Sequence, residues 1–159
     1  MAEQTNATIA DVIRENLAGE SQEGAVQFIT SLNEDGFTPS MWWGNKTCWK
    51  IASDGINIAM IQFDPQLWRF TFFFGEYSGD FDDDFTVSVQ DHVKFCESCH
   101  EACTRGMDAV IFGKPYRNVC SQLSIQFENP NADELKHIKK MMEYCVKHPP
   151  NGVSWHAHN

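Results

Sequence analysis

The sequence predicts a single α+β domain with an antiparallel sheet, flanking helices and a cysteine-rich metal-binding loop. Three observations carry this prediction. The length of 159 residues suits one domain, the hydrophobic content of 42% suffices for a core, and the apolar period changes from helical to strand-like after Trp42. We therefore expect one domain over residues 1–159, with a core over about 8–148 and a flexible tail over 149–159.

Two N-terminal helices are predicted, over residues 8–17 and about 22–34. Their apolar residues recur at helical spacing, and Gly36 follows the second one. A three-stranded meander follows, because three runs rich in β-branched and aromatic residues are separated by short turn sequences. These runs are Thr47–Ala52, Ile56–Phe63 and Leu67–Phe74.

The second half of the chain is predicted to contain a helix, an irregular cysteine-rich stretch, a strand and a last helix. Apolar residues at every fourth position from Phe81 to Val93 favour the first helix, and alternation predicts a half-buried strand over 120–127. Asn129 and Pro130 form a suitable N-cap and first position for the last helix. The stretch from Cys96 to Tyr116 contains the cysteine cluster and a turn at Gly113-Lys114-Pro115, and we expect the chain between Cys96 and Cys120 to be irregular.

Charge and composition exclude several classes of function. The formal charge of −10 disfavours a nucleic-acid-binding protein, and no apolar run approaches the roughly 20 residues that span a bilayer. The N-terminus lacks the basic and apolar regions of an export signal, so we expect a cytoplasmic protein. Thiols stay reduced there, and six cysteines then indicate metal or redox chemistry rather than disulfides.

Four cysteines within 25 residues form the candidate metal site. Cys96, Cys99, Cys103 and Cys120 have the spacing C-x2-C-x3-C-x16-C, and their soft thiolates suit one tetrahedral zinc ion. An iron–sulfur cluster is the minority alternative, and the first three cysteines also fit the buried stripe of a helix. Haem attachment at the Cys-x2-Cys-His sequence is disfavoured without export. We assign Cys48 and Cys145 to packing.

These motifs give the chain a resemblance to an uncharacterised family of small bacterial proteins, over about residues 22–145. The resemblance implies that the four cysteines belong to a shared local architecture with a metal, and it implies no activity. The position of His100 is usually Gly in that family. The matching features are the Cys-x2-Cys-x3-Cys spacing, Trp49–Ile51, Ile111–Lys114, Asn118–Cys120 and Asn129-Pro130 before a lysine-rich helix.

Other candidate sites have simpler explanations. Trp42 and Trp43 beside Gly44 form a candidate ligand surface, although Trp residues in a small domain are more often core. The aspartates of the 80–84 turn fit a solvated helix N-cap better than a calcium loop, and His156 and His158 fit a free tail.

Two functions remain open. One is a cytosolic binding module, with an unknown small molecule or protein as its partner and the zinc ion as a structural element. The other is a thiol redox enzyme that uses Cys96 and Cys99.

Overall fold

The structure, a computed structural model, describes residues 8–42, 44–75, 77–97 and 106–149. It confirms the predicted single-domain α+β fold, and the described residues form four helices, a five-stranded antiparallel sheet and a two-stranded sheet. The elements in chain order are α1 Ile9–Asn16, α2 Gly19–Glu34, β1 Ser40–Trp42, β2 Asn45–Ser53, β3 Ile56–Asp64, β4 Leu67–Phe73, α3 Asp83–Gln90, β5 Met107–Ile111, β6 Lys114–Val119, β7 Leu123–Glu128 and α4 Ala132–Lys147.

The predicted meander is strands β2, β3 and β4, and its turns explain its register. Asp54 and Gly55 both have positive φ angles, 51° and 79°, as a two-residue type I′ turn between twisted strands requires. Gln66 takes a φ of 62° in the next turn, after Pro65. The five-stranded sheet has the order β1-β2-β3-β4-β7.

The main core lies between the helices and one face of this sheet. Phe70 of β4 is paired with Phe127 of β7, and Phe72 with Ile125, and all four side chains are fully buried in the same cluster. A smaller cluster of Trp42, Met60 and Phe73 is separate from it. No described helix has the length and apolar character needed to cross a bilayer.

The predicted N-cap of the last helix is wrong by two residues. Asn131 caps α4, because its side chain accepts from the Glu134 N–H while the Glu134 carboxylate accepts from the Asn131 N–H, which forms a capping box. Asn129 instead takes a φ of 43°, and its side chain accepts from the N–H of Trp68 at 3.0 Å. Asn129 thus fastens the end of β7 to β4.

The predicted turn at Gly113 is confirmed, but the expectation of an irregular stretch between Cys96 and Cys120 is wrong, because its described part contains the hairpin of β5 and β6. The hairpin turns at Phe112 and Gly113, whose φ angles are 49° and 85°. A two-residue turn with two positive φ angles usually has Asn or Asp at its first position, so Phe112 at that position does not indicate a turn of this type. The Phe112 N–H donates to the Tyr77 carbonyl oxygen at 2.8 Å, and the ring is buried among other aromatic rings.

Candidate metal centre

Residues 92–97, which we call the edge segment, lie antiparallel to the chain that runs from β6 into β7. The Lys94 N–H donates to the Ser124 carbonyl oxygen at 2.8 Å, and the Gln126 N–H donates to the His92 carbonyl oxygen at 2.9 Å. Further along, Phe95 forms an antiparallel bridge with Val119. The edge segment therefore extends the sheet by one short strand beyond β7.

This pairing brings Cys96 and Cys120 onto neighbouring stretches of chain. The Cys96 N–H donates to the Asn118 carbonyl oxygen at 2.7 Å, and the Cys120 N–H donates to the Lys94 carbonyl oxygen at 2.8 Å. The two cysteines thus occupy diagonal positions of one antiparallel ladder, on either side of the Phe95–Val119 bridge. Diagonal neighbours have Cα atoms about 7–8 Å apart, which exceeds the reach of an unstrained disulfide. A metal ion between two thiolates adds about 2.3 Å per metal–sulfur bond and extends that reach.

The surroundings of Cys120 suit a thiolate ligand. Cys120 is only 8% exposed, and the Leu123 N–H donates to its Sγ atom at 3.5 Å. Backbone N–H groups directed at ligand sulfurs are a usual outer shell of metal sites. Cys96 is half-buried, and the Asn118 side-chain amide donates to its carbonyl oxygen at 3.4 Å.

A close backbone contact joins the start of β5 to the end of β6, beside this ladder. A Cβ atom on Gly106 would lie 2.3 Å from Asn118 Oδ1 and 2.8 Å from two backbone carbons of Asn118. Asn118 itself has a φ of 60°, a conformation that Asn tolerates better than most residues. Gly106 is therefore required by space, and it positions the residue that accepts the hydrogen bond from Cys96.

The other predicted ligands, Cys99 and Cys103, lie outside the described residues, as does His100. Within the described part of the chain, no three His, Cys, Asp or Glu side chains are grouped as a metal site would need. The structure thus brings together the first and last cysteines of the predicted set.

Cys48 and Cys145 pack as the sequence predicted. Cys145 is fully buried in the main core, where burial raises the pKa of its thiol to about 12. Cys48 contacts the smaller cluster, and burial raises the pKa of its thiol as well. Neither thiol is readily ionised at neutral pH, so both are expected to be poor nucleophiles.

Trp42 of the candidate ligand surface is 6% exposed. Its ring lies 5.8 Å from the Phe73 ring, and Lys50 Nζ lies 5.9 Å from its centroid. Trp43 lies outside the described residues. The ligand-binding role of this pair stays a prediction, and the contacts of Trp42 are those of a packed side chain.

Asp82 confirms the predicted N-cap in the acidic turn. Its side chain accepts from the Phe85 N–H at 2.9 Å and lies 3.0 Å from Lys140 Nζ. The hydrogen bond from Phe85, followed by that from Lys140, lowers the pKa of Asp82. The predicted tail histidines, His156 and His158, lie outside the described residues.

Sequence reasoning missed His92, which joins three elements at the start of the edge segment. Its Nδ1 lies 2.6 Å from the Ser88 carbonyl oxygen of α3, its Nε2 lies 2.7 Å from Glu134 of α4, and its ring stacks on Phe127 of β7 at 4.1 Å. The alternation of polar and apolar residues from His92 to Phe95 could have indicated this extra strand.

No family model, curated protein or solved structure matches this chain. Its function is therefore inferred from the geometry of its own residues.

Proposed function

We propose that this protein is a cytoplasmic, non-catalytic binding module in which Cys96, Cys99, Cys103 and Cys120 hold one structural zinc ion. The observation that carries the proposal is the diagonal pairing of Cys96 with Cys120 across the Phe95–Val119 bridge. This pairing supports a zinc site because the first and last cysteines of the motif are 24 positions apart in sequence and become neighbours only through the fold.

The number of thiols favours a structural ion over a catalytic one. Four cysteine ligands would complete the tetrahedral shell of zinc, so no position would remain for water or substrate. Iron accepts the same four thiolates, and elemental analysis separates the two metals. A zinc ion at this position would tie the edge segment to the end of β6 and hold the hairpin of β5 and β6 against the sheet.

Metal analysis of single-cysteine variants tests this proposal. Protein purified without added metal should contain about one zinc per chain, and Cys120→Ser should lose it. Amide exchange should then accelerate in β5 and β6 while the meander of β2, β3 and β4 stays protected. Cys145→Ser and Cys48→Ser are the matched controls, since both remove a thiol outside the proposed site and should retain the zinc.

Thiol titration separates the module from the redox enzyme. In zinc-loaded native protein, the four motif cysteines should react slowly with a thiol reagent until a chelator is added. A Cys96–Cys99 pair that cycles with a dithiol reductant in metal-free protein would favour the redox enzyme. Full zinc content in a Cys96→Ser, Cys120→Ser double variant would contradict the zinc site.

A further inference from the structure

The outer side of the edge segment, away from β6 and β7, carries main-chain groups of Val93 and Phe95. The hydrogen bonds toward β6 and β7 involve His92, Lys94 and Cys96, so the polar groups of the intervening residues face the other way. The Phe95 N–H and carbonyl oxygen and the Val93 carbonyl oxygen have no hydrogen-bond partner among the described residues. An open sheet edge of this kind is a template for pairing with another extended chain.

A side-chain site accompanies this open edge. Phe95 is 47% exposed, and only the Tyr116 ring, at 6.2 Å, lies beside it among the described aromatic rings. A groove of about 400 Å³ is lined by residues of the edge segment and by two residues of the paired strand β7. Its lining includes Asp91, Lys94, Phe95, Glu97, Gln126 and Glu128.

The charges of this groove favour a cationic occupant. Asp91 and Glu97 have no cation within 4.0 Å among the described residues, and Lys94 is the one lysine of the groove lining. Glu128 contacts Arg69 at 3.4 Å. Asp91 is also the C-cap of α3, where the helix dipole disfavours a negative charge. The whole chain has a formal charge of −10, which attracts cationic partners at long range.

We propose that residues 93–97 bind an extended, cationic segment of a partner protein as an added β-strand. Main-chain hydrogen bonds to Val93 and Phe95 would hold the segment, an apolar side chain of the partner would cover Phe95, and basic side chains would approach Asp91 and Glu97. This inference deepens the proposed binding function by naming the class of partner, and it requires no metal.

Synthetic hexapeptides of alternating Lys and Val test the pairing directly. NMR titration of the full chain should shift the amide signals of residues 93–97, and amide exchange at Phe95 should slow by about tenfold at saturation. A copy with N-methyl groups on alternate peptide nitrogens should bind about tenfold more weakly, because it lacks donors along one edge. Equal affinity for the methylated peptide would overturn strand addition.

Charge variants test the choice of partner. Asp91→Lys should weaken binding of the Lys-Val peptide about fivefold and Lys94→Glu should strengthen it by a similar factor, while the control Glu23→Lys in α2 should leave it unchanged. Each variant is checked for folding by circular dichroism. An alternating Glu-Val peptide that binds as tightly as the Lys-Val peptide would overturn the cationic partner.

Self-association and metal loss are distinguishable results. Concentration-dependent dimerisation that perturbs the same amide signals, without peptide binding, would assign the edge to a second copy of the chain and overturn the proposal. Peptide binding in zinc-free protein supports the edge proposal even if the zinc site fails. Zinc-loaded, folded protein that binds no peptide overturns the edge proposal and leaves the zinc site standing.

Discussion

Replacing Gly106 with Ala tests whether the close contact between the start of β5 and Asn118 of β6 fixes the position of Asn118 beside Cys96. The new Cβ atom would meet backbone carbons of Asn118 at 2.8 Å, and an unstrained contact begins near 3.4 Å, so Asn118 must retreat by about 0.6 Å. That residue also accepts the 2.7 Å hydrogen bond from the Cys96 N–H. A displacement of Asn118 therefore disturbs the hydrogen bond that positions Cys96, a proposed metal ligand.

The expected cost follows from two opposing effects. Forcing a methyl group into a packed contact costs about 1–3 kcal/mol, and the reduced freedom of the unfolded chain returns about 0.4–1 kcal/mol. We expect a net loss of about 1–2 kcal/mol, measured as the free energy of unfolding in urea, and a fall in Tm of about 2–8 °C.

Gly24→Ala is the matched control, because the same substitution should there have the opposite sign. Gly24 lies inside α2, and nothing lies within 4 Å of its added Cβ atom. Alanine in a helix interior is more favourable than glycine by about 0.5–1 kcal/mol, so this variant should be more stable than the parent. If Gly106→Ala proves as stable as Gly24→Ala, the close contact and its role in positioning Cys96 are wrong.

Two further predictions concern the sheet and the acidic turn. Trp42→Ala should reduce the free energy of unfolding by about 3–5 kcal/mol if the ring is a packed side chain; a cooperative fold of unchanged stability would restore its candidacy as a ligand surface. Asp82 has its pKa lowered below the ordinary 3.8. The ionised Asp82 carboxylate therefore stabilises the folded protein at pH values above its ordinary pKa. This stabilisation is lost as the pH falls through the lowered pKa of the folded state. Asp82→Asn keeps a capping side chain and should flatten the acid limb of the stability curve; an unchanged limb would contradict this assignment.

The parts of the fold that the sequence predicted are those determined by local pattern. The meander was predictable because the Asp54-Gly55 turn and the alternating strands agree on one register. The last helix was predicted, but its start was not, because Asn129 and Asn131 are both acceptable caps. The hydrogen bond between Asn129 and Trp68, 61 residues apart, decides between them.

Gly113 indicated a turn, but the strands of the β5–β6 hairpin and the place of Phe112 in its turn were not predicted, because tertiary contacts determine them. Phe112 adopts a left-handed conformation that a bulky residue rarely takes. It is held there by the hydrogen bond to Tyr77 and by rings from two helices, with Phe85 at 5.5 Å and Tyr144 at 5.6 Å. A local pattern contains no information about partners this distant in sequence.

The same distinction applies to the candidate sites. Spacing alone could identify the four cysteines as candidate metal ligands, because the number and type of possible ligands can be read from the sequence. The diagonal pairing of Cys96 and Cys120 depends on the edge segment, which pairs with β7 and with the end of β6. The open edge at Phe95 then follows from the pairing itself, since a strand hydrogen-bonded on one side presents unpaired groups on the other. The proposed metal centre and the proposed peptide site thus share one cause, and a variant that detaches residues 92–97 from β7 should abolish both.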